Sequence, residues 1–414
     1  MIVTHLSLSD FRNYHTAEVA LSAGPNLFVG SNGQGKTNLV ESLGFLSTLG
    51  SHRVSVDHAM IRQGTDVAII RARLEHGERQ LLAEVQINRT GANRAQINRA
   101  VIKTRELPRY FSSVLFAPED LALVRGEPSG RRRFLDELLV LLSPRYSGVM
   151  ADYDRVLKQR NSLLKSARTS GLKGTQLSTL EIWDDRLVTL GSELIEARTG
   201  LVARLLPAVT AAYESVAGED HHASLSTYLT ISDPEGAGSD AEARGAQLQS
   251  RPGDQPVTAG EAAAGFRSAL DRLRRNELDR GITLVGPHRD DLVLELNGMP
   301  ARGYASHGES WSFALALKLA SAGLLRRESV TGDPVLMLDD VFAELDASRR
   351  LRLASAVAGF EQVLITAAVY DDVPAELAAH TVRISAGTIL AAAETQVDGE
   401  QRMEPAAPAT EVEQ

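Results

Sequence analysis

Gly30-Ser31-Asn32-Gly33-Gln34-Gly35-Lys36-Thr37 narrows what this 414-residue chain can fold into more than any other stretch. It satisfies G-x-x-x-x-G-K-[ST] in full, directly after the apolar run Leu27-Phe28-Val29 and directly before the helical run Asn38–Leu49. A strand, a glycine-rich turn and a helix in that order point backbone N–H groups and a helix N-terminus at one small volume, where they cradle phosphate. Lys36 adds a charge for the β- and γ-phosphates, and the Thr37 hydroxyl can ligate Mg2+. The chain has only six lysines, so a chance match arises on the order of one time in a hundred before context is counted. These eight residues therefore read as an ATP-binding loop.

Such a loop needs a carboxylate partner for Mg2+ and water. Val335-Leu336-Met337-Leu338-Asp339-Asp340 supplies it, as four apolar residues of a buried strand that ends in two acids. Asp339 is expected to hold the metal ion and Asp340 to orient the attacking water. Roughly 300 residues separate Lys36 from Asp339, far more than a kinase or GTPase would place there. A head completed by the two ends of the chain around an insertion fits the SMC/ABC-type ATPases instead. Ser306-His307-Gly308-Glu309-Ser310 before the helix Trp311–Leu325 reads as their signature turn, and Glu344-Leu345-Asp346 as their D-loop. The turn at Ser306 and Gly308 would offer a second helix N-terminus to a γ-phosphate bound by a facing copy. That logic implies an ATP-dependent homodimer.

Hydrophobic residues make up 43% and charged residues 23%, a composition that excludes wholesale disorder. With no cysteine there is no disulfide or thiolate metal site. No 18-residue apolar run or signal-like start occurs, so a cytoplasmic protein without membrane spans is expected. Net charge is −9, yet 38 of the 44 basic residues are arginine, and nucleic-acid binding follows local patches rather than the sum.

Periodicity divides the chain. Residues 1–118 read as the N-terminal part of an α/β head, with strands at Ile2–Leu8, Leu27–Val29, Val67–Leu74 and Leu81–Ile87. Residues 119–280 read as an inserted helical arm, with runs Arg131–Leu142, Tyr146–Arg168, Leu177–Val216 and Glu261–Arg280. Gly171–Gly174 is its turn, and 232–260 a disordered linker rich in small and polar residues. Residues 281–390 return to the head, with strands at Ile282–Val285, Val293–Leu296, Val335–Leu338 and Val363–Thr366 and helices at Ser310–Arg327 and Ala347–Ala358. An acidic, disordered tail is expected over 391–414.

These strings together resemble the RecF family. Leu6-Ser7-Leu8-Ser9-Asp10-Phe11-Arg12-Asn13-Tyr14 is similar to its opening strand, and Gly30–Thr37 continuing as Asn38-Leu39-Val40-Glu41 to its P-loop. Leu115-Phe116-Ala117-Pro118-Glu119-Asp120-Leu121 and Val124-Arg125-Gly126 resemble its entry to the arm, and Gly286-Pro287-His288-Arg289-Asp290-Asp291-Leu292 its return to the head. Phe313–Ala320 and Leu338–Asp346 complete the match. The resemblance implies an ABC/SMC-type P-loop ATPase head with an inserted helical arm, and a weak, DNA-stimulated ATPase. It further implies an ATP-gated clamp on gapped DNA, at single-strand/double-strand junctions, that assists recombinase loading and the SOS response. Its implied partners are the mediator proteins RecO and RecR. A nucleotide-binding subunit of an ABC-type transporter is the alternative with the same site chemistry.

The chain departs from the family at three places. Ser310-Trp311 stands where an Arg or Gln often follows the signature turn, and no metal-sensing glutamine stands in Phe116-Ala117-Pro118-Glu119. Leu364-Ile365-Thr366-Ala367-Ala368 lacks the sensor histidine of many ABC-type ATPases, with Thr366 a possible substitute. Arg131, Arg132 and Arg133 are candidate DNA-phosphate contacts, weighed evenly against a solvated charge run. Arg272, Arg274, Arg275 and Arg280 read as a salt-bridged surface with Asp271, Glu277 and Asp279. Gln63 reads as an inert loop residue, His221-His222 as a surface pair, and His288 as no metal ligand, because no second ligand sits at ligand spacing.

Overall fold

A parallel sheet and an antiparallel sheet, packed on opposite faces of one helix, form the frame of the computed structural model, which describes residues 1–170, 175–218, 221–233, 256–329 and 332–390. The antiparallel sheet holds β1 (Ile2–Phe11), β2 (Tyr14–Ala20), β4 (Val67–His76), β5 (Arg79–Asn88), β6 (Arg94–Ile97) and β7 (Ala100–Ile102) in the order β2-β1-β4-β5-β6-β7. The second sheet runs β15-β14-β3-β13-β12-β8. Its β3 (Gly24–Val29), β8 (Ser113–Phe116), β12 (Val335–Asp339), β13 (Gln362–Ala367) and β14 (His380–Ser385) are parallel, and β15 (Thr388–Leu390) closes the edge antiparallel to β14. A small third sheet pairs β9 (Ser224–Tyr228), β10 (Asp291–Leu296) and β11 (Met299–Pro300).

The parallel strands are apolar on both faces because each face has its own core. Phe28, Val335, Met337 and Leu364 pack with α1 (Lys36–Thr48) and the antiparallel sheet. Their neighbours Leu27, Leu336, Leu338 and Val363 point the other way, onto α3 (Pro128–Leu142), α7 (His307–Glu328) and α8 (Ala347–Val357). This explains why Val335–Leu338 reads as an unbroken apolar run rather than an alternating one. Gln362 bonds the two sheets: its Oε1 accepts Val3 N–H at 2.8 Å, and its Nε2 donates to Val3 O and Ser22 O.

The arm is built from α4 (Tyr146–Ser170), α5 (Thr175–Ala217) and α6 (Ala259–Arg280). Leu187, Val188, Leu194 and Ile195 of α5 pack with Phe266 and Leu270 of α6, whereas Leu201, Leu205, Val209 and Tyr213 of the same helix pack with α7. One continuous helix thus runs from the arm core into the head core. At the centre of the arm, Arg160 is fully buried and forks between Asp184 and Glu277, both at 2.6 Å, with a third bond to Thr283 Oγ1. Glu277 is therefore not part of an exposed charge run on α6: it is the buried counter-ion of Arg160, while Arg274 pairs with Asp184 at 2.8 Å.

One expectation about elements changes, and two strands come in addition. Ile282–Val285 is not a strand. Arm side chains take its backbone groups: Asn161 Oδ1 accepts Thr283 N–H, and Glu277 Oε1 accepts Leu284 N–H. The strands β8 and β14, which flank the parallel sheet, carry polar residues at their ends and are visible only once paired with β12 and β3. The Gly171–Gly174 turn, most of the 232–260 linker and the 391–414 tail lie outside the described residues. Among the described residues no helix is long and apolar enough to cross a membrane.

Removing one partner of the buried pair leaves an uncompensated charge. Glu277→Ala should therefore cost about 3–5 kcal/mol, read by urea unfolding followed by circular dichroism. Arg274→Ala, at a partly exposed pair, should cost less than about 1 kcal/mol.

Candidate functional site

The P-loop leaves the C-terminal end of β3 and enters α1 at Lys36. Two hairpins hold it from outside. Asn13 Nδ2 and Gly387 N–H both donate to Gln34 O at 3.1 Å, and Tyr14 Oη donates to Gly35 O at 3.1 Å. Gly35 has φ of +115°, and a Cβ there would meet Tyr14 Oη at 2.7 Å and Asn13 Nδ2 at 2.8 Å. Neither the backbone conformation nor the space admits another residue. The loop therefore owes its shape to Asn13 and Tyr14, in the turn between β1 and β2, as much as to its own glycines. Lys36 is 5% exposed, and its ammonium donates to Gly30 O at 2.6 Å and Ser31 O at 3.1 Å. Burial holds that ammonium below the ordinary lysine range, against the pull of Asp340 and Asp339.

Strand order brings the acids to the loop. β13 lies between β3 and β12, and Thr366 of β13 stands opposite Asp339 in register. Asp339 Oδ1 accepts from Thr366 Oγ1 at 2.6 Å and from Thr37 Oγ1 at 3.0 Å. Thr366 Oγ1 in turn accepts Asp340 N–H at 2.9 Å. One hydroxyl thus holds the carboxylate of Asp339 and the backbone of Asp340. The sensor role considered for Thr366 is replaced by this one, because its oxygen is spent on Asp339 and Asp340. Asp340 has φ of +55°, a left-handed conformation that a short polar side chain tolerates at a modest cost of about 1 kcal/mol. Burial pushes the Asp339 carboxyl above the usual range, while its bonds from Thr366 and Thr37 pull it down.

His52 was not anticipated. Its Nε2 lies 3.9 Å from Asp339 Oδ2 and is buried without a hydrogen-bond partner among the described residues. Desolvation lowers the imidazole's pKa despite the nearby Glu119, Asp339, Glu41 and Asp120. Next to it, Ser51 donates to Glu41 of α1, a fully buried carboxylate that also takes a bidentate bond from Arg12 at 2.8 and 2.5 Å. Nothing in the local pattern at Gly50-Ser51-His52-Arg53 signals this; only the return of β12 does.

The signature turn has its own setting. Ser306 caps α7 in a reciprocal box with Glu309: Ser306 Oγ accepts Glu309 N–H, and Glu309 Oε2 accepts Ser306 N–H at 2.7 Å. Ser310 is bonded by Arg125 at 3.0 Å, and His221 stands 3.6 Å from Glu309. Of the His221-His222 pair, His222 is exposed, while His221 is half-buried, with Tyr213 Oη 2.9 Å from its Nδ1. Asp346 caps α8 by accepting Arg349 N–H at 2.9 Å. The signature turn is thus held by Arg125 and by its own cap, and the P-loop by Asn13, Tyr14 and the turn at Gly387.

The three arginines at the base of the arm have partners inside the protein. Arg131 is 4% exposed, forks onto Asp291 at 2.8 and 2.7 Å, and also bonds Leu123 O and Gly126 O. It is neither a free phosphate contact nor part of a solvated run, because the return strand β10 brings it a carboxylate. Arg132 donates to Asp290 O at 2.7 Å, and Arg133 pairs with Glu137 and reaches Ser51 O. Tyr153 Oη lies 2.8 Å from His288 Nδ1, and burial pushes the His288 imidazole down to about 3. Gln63 is exposed.

The family model described as RecF/RecN/SMC N terminal domain matches residues 2–391. The DNA replication and repair protein RecF of Leifsonia xyli subsp. xyli is 68% identical over 394 residues, covering 94% of this chain and 99% of that protein. Its counterpart in Streptomyces avermitilis is 51% identical over 393 residues, covering 94% and 99%. Among solved structures, the recombination mediator protein RecF-ATP in the RecFOR pathway aligns with a TM-score of 0.78 at 27% identity, covering 94% of this chain and 98% of that one. An SMC head bound to the C-winged helix domain of ScpA shares the fold, with a TM-score of 0.51 at 13% identity, covering 94% and 96%. Identity at the level of the first two, along nearly the whole of both sequences, makes this chain a member of the RecF family.

Proposed function

We propose that this chain is an ATP-gated DNA-binding protein of recombinational repair and replication, whose two copies close head to head over two shared ATP sites. One observation carries the reading: Thr37 and Asp339, at opposite ends of the sequence, bring two hard oxygens within 3.0 Å of each other beside Lys36. That donor set suits Mg2+. Bound there, Mg2+ would offset phosphate charge.

The chain's own groups do the rest. The P-loop N–H groups of Gly30 to Thr37 and the N-terminus of α1 would hold the β- and γ-phosphates. Lys36 would exchange its bonds to Gly30 O and Ser31 O for phosphate oxygens. Asp340, whose backbone N–H is held by Thr366, would orient the attacking water. The signature turn at Ser306 and Gly308, with Asp346, would cap the γ-phosphate held by the other copy, which its separate set of partners supports. Exposed Val369 and Tyr370 follow the C-terminal end of β13, the edge from which the P-loop also emerges, and would pack in that closed dimer. Gapped DNA with single-strand/double-strand junctions is the substrate, and RecO and RecR are the partners. The relative described as in the RecFOR pathway supports the partners, and the relatives described as DNA replication and repair proteins support DNA as the ligand. Of the three arginines, Arg133 has the exposure that a phosphate contact needs. The relatives' description as DNA replication and repair proteins favours this reading over a transporter subunit.

Asp340→Asn should keep ATP binding while slowing hydrolysis by about 100-fold or more. Sedimentation with ATP should then show more dimer than the parent protein. Unchanged hydrolysis would remove Asp340 from its role.

Ser306→Arg fills the signature turn and should block ATP-driven dimerisation while each copy still binds nucleotide. A mixture of Ser306→Arg with Lys36→Met protein forms heterodimers with one intact site and one doubly damaged site. Some ATPase should reappear above either variant alone. DNA binding, titrated at fixed salt with ATP, ADP and no nucleotide, should be tightest with ATP and lose that preference in Ser306→Arg.

A further inference from the structure

Arg349 ties together two turns that the proposed closure needs, and the reading above gives it no task. It sits in the first turn of α8, capped by Asp346, whose Oδ1 takes its backbone N–H at 2.9 Å and whose Oδ2 takes Nη1 at 3.0 Å. The guanidinium then reaches the start of α7 and covers Gly308. A Cβ on Gly308 would lie 3.0 Å from Nη1, 3.2 Å from Nη2 and 3.4 Å from Cζ. Gly308 has no positive φ, so a methyl added there meets no backbone strain, and the guanidinium of Arg349 is what it would have to displace.

A cation at a helix N-terminus is unfavourable by itself, so the stability of α7 does not account for it. Two carboxylates offset that cost. One is Asp346. The other is Glu309, held below the usual carboxyl range first by its bonds to Ser306, and further by the charges of His221 and Arg349. Arg349 Nε is buried with no hydrogen-bond partner among the described residues. The guanidinium is thus clamped between the D-loop turn and the signature turn.

We propose that Arg349 is a positioning residue for ATP-dependent closure, joining the Asp346 turn and the Ser306–Gly308 turn into one rigid surface that meets the partner copy's γ-phosphate. This rests on the composite-site reading and adds the residue that sets the geometry of the trans face. Ser310-Trp311 supplies no cation after the signature turn, and Arg349 brings one to that turn from α8.

The test uses the full chain carrying Asp340→Asn, so that hydrolysis does not drain the dimer. In that background Arg349→Met should raise the protein concentration at half-dimerisation with ATP by about tenfold or more, the loss of a charge-assisted contact. Binding of a fluorescent ATP analogue by the monomer should stay within about twofold. Arg349→Lys keeps the charge but not the fork, and should show the same loss. Gly308→Ala alone should weaken dimerisation too, and Gly308→Ala with Arg349→Met should be no worse than the worse single variant, because the added methyl meets only the guanidinium. Normal dimerisation of Arg349→Met and Arg349→Lys would overturn the inference and leave the composite site standing. So would effects of Gly308→Ala and Arg349→Met that simply add, or loss of nucleotide binding by both Arg349 variants. If the Asp340→Asn parent itself fails to dimerise with ATP, the composite-site reading falls and takes this inference with it.

Discussion

The hydroxyl of Thr366 stands where three strands meet, and the site depends on it. β3 carries the P-loop, β12 carries the acids, and β13 lies between them with Thr366 opposite Asp339. Parallel pairing puts the C-terminal ends of all three on one edge, where open α/β sheets bind ligands. A hydrogen bond of 2.6 Å to the Asp339 carboxylate and one of 2.9 Å from the Asp340 N–H then fix the chain where the two acids follow one another. Without that strand order, Lys36 and Asp339 would be distant residues with no common chemistry.

Burial raises the stakes of each polar group at this edge. Asp339, Lys36 and Glu41 are all nearly inaccessible, and an unpaired charge there would be expensive. Each is therefore bonded: Glu41 by Arg12 and Ser51, Lys36 by loop carbonyls, and Asp339 by two threonines. The same rule governs the arm, where Arg160 is matched by Asp184 and Glu277. Such networks hold one geometry well and tolerate the loss of a member badly.

The continuity of α5 links the two halves of the molecule. Its residues pack in the arm core at one end and against α7, the helix that the signature turn begins, at the other. His221 and Arg125 touch that turn from elements next to the arm's base, and Arg349 touches it from α8. The signature turn thus has packed, hydrogen-bonded neighbours leading toward the arm.

Much of this is legible in the sequence. The P-loop string, the apolar run ending in Asp339-Asp340 and the helical periods of the arm are local patterns. Local patterns survive without tertiary information, because backbone geometry and burial on both faces dictate them. The turn that opens a helix at Ser306–Gly308 is equally local. What the sequence could not show were the partners: His52 beside Asp339, Arg349 over Gly308, Asp291 on Arg131, Glu277 inside the arm rather than outside it. Each joins residues distant in the chain, and a charged side chain reads the same in sequence whether water or a buried counter-ion surrounds it. The sequence by itself determined which residues could touch phosphate and metal. Only the tertiary structure decided which side chains hold them in place, because that depends on strand order and helix packing, which bring remote segments within a few ångströms of each other.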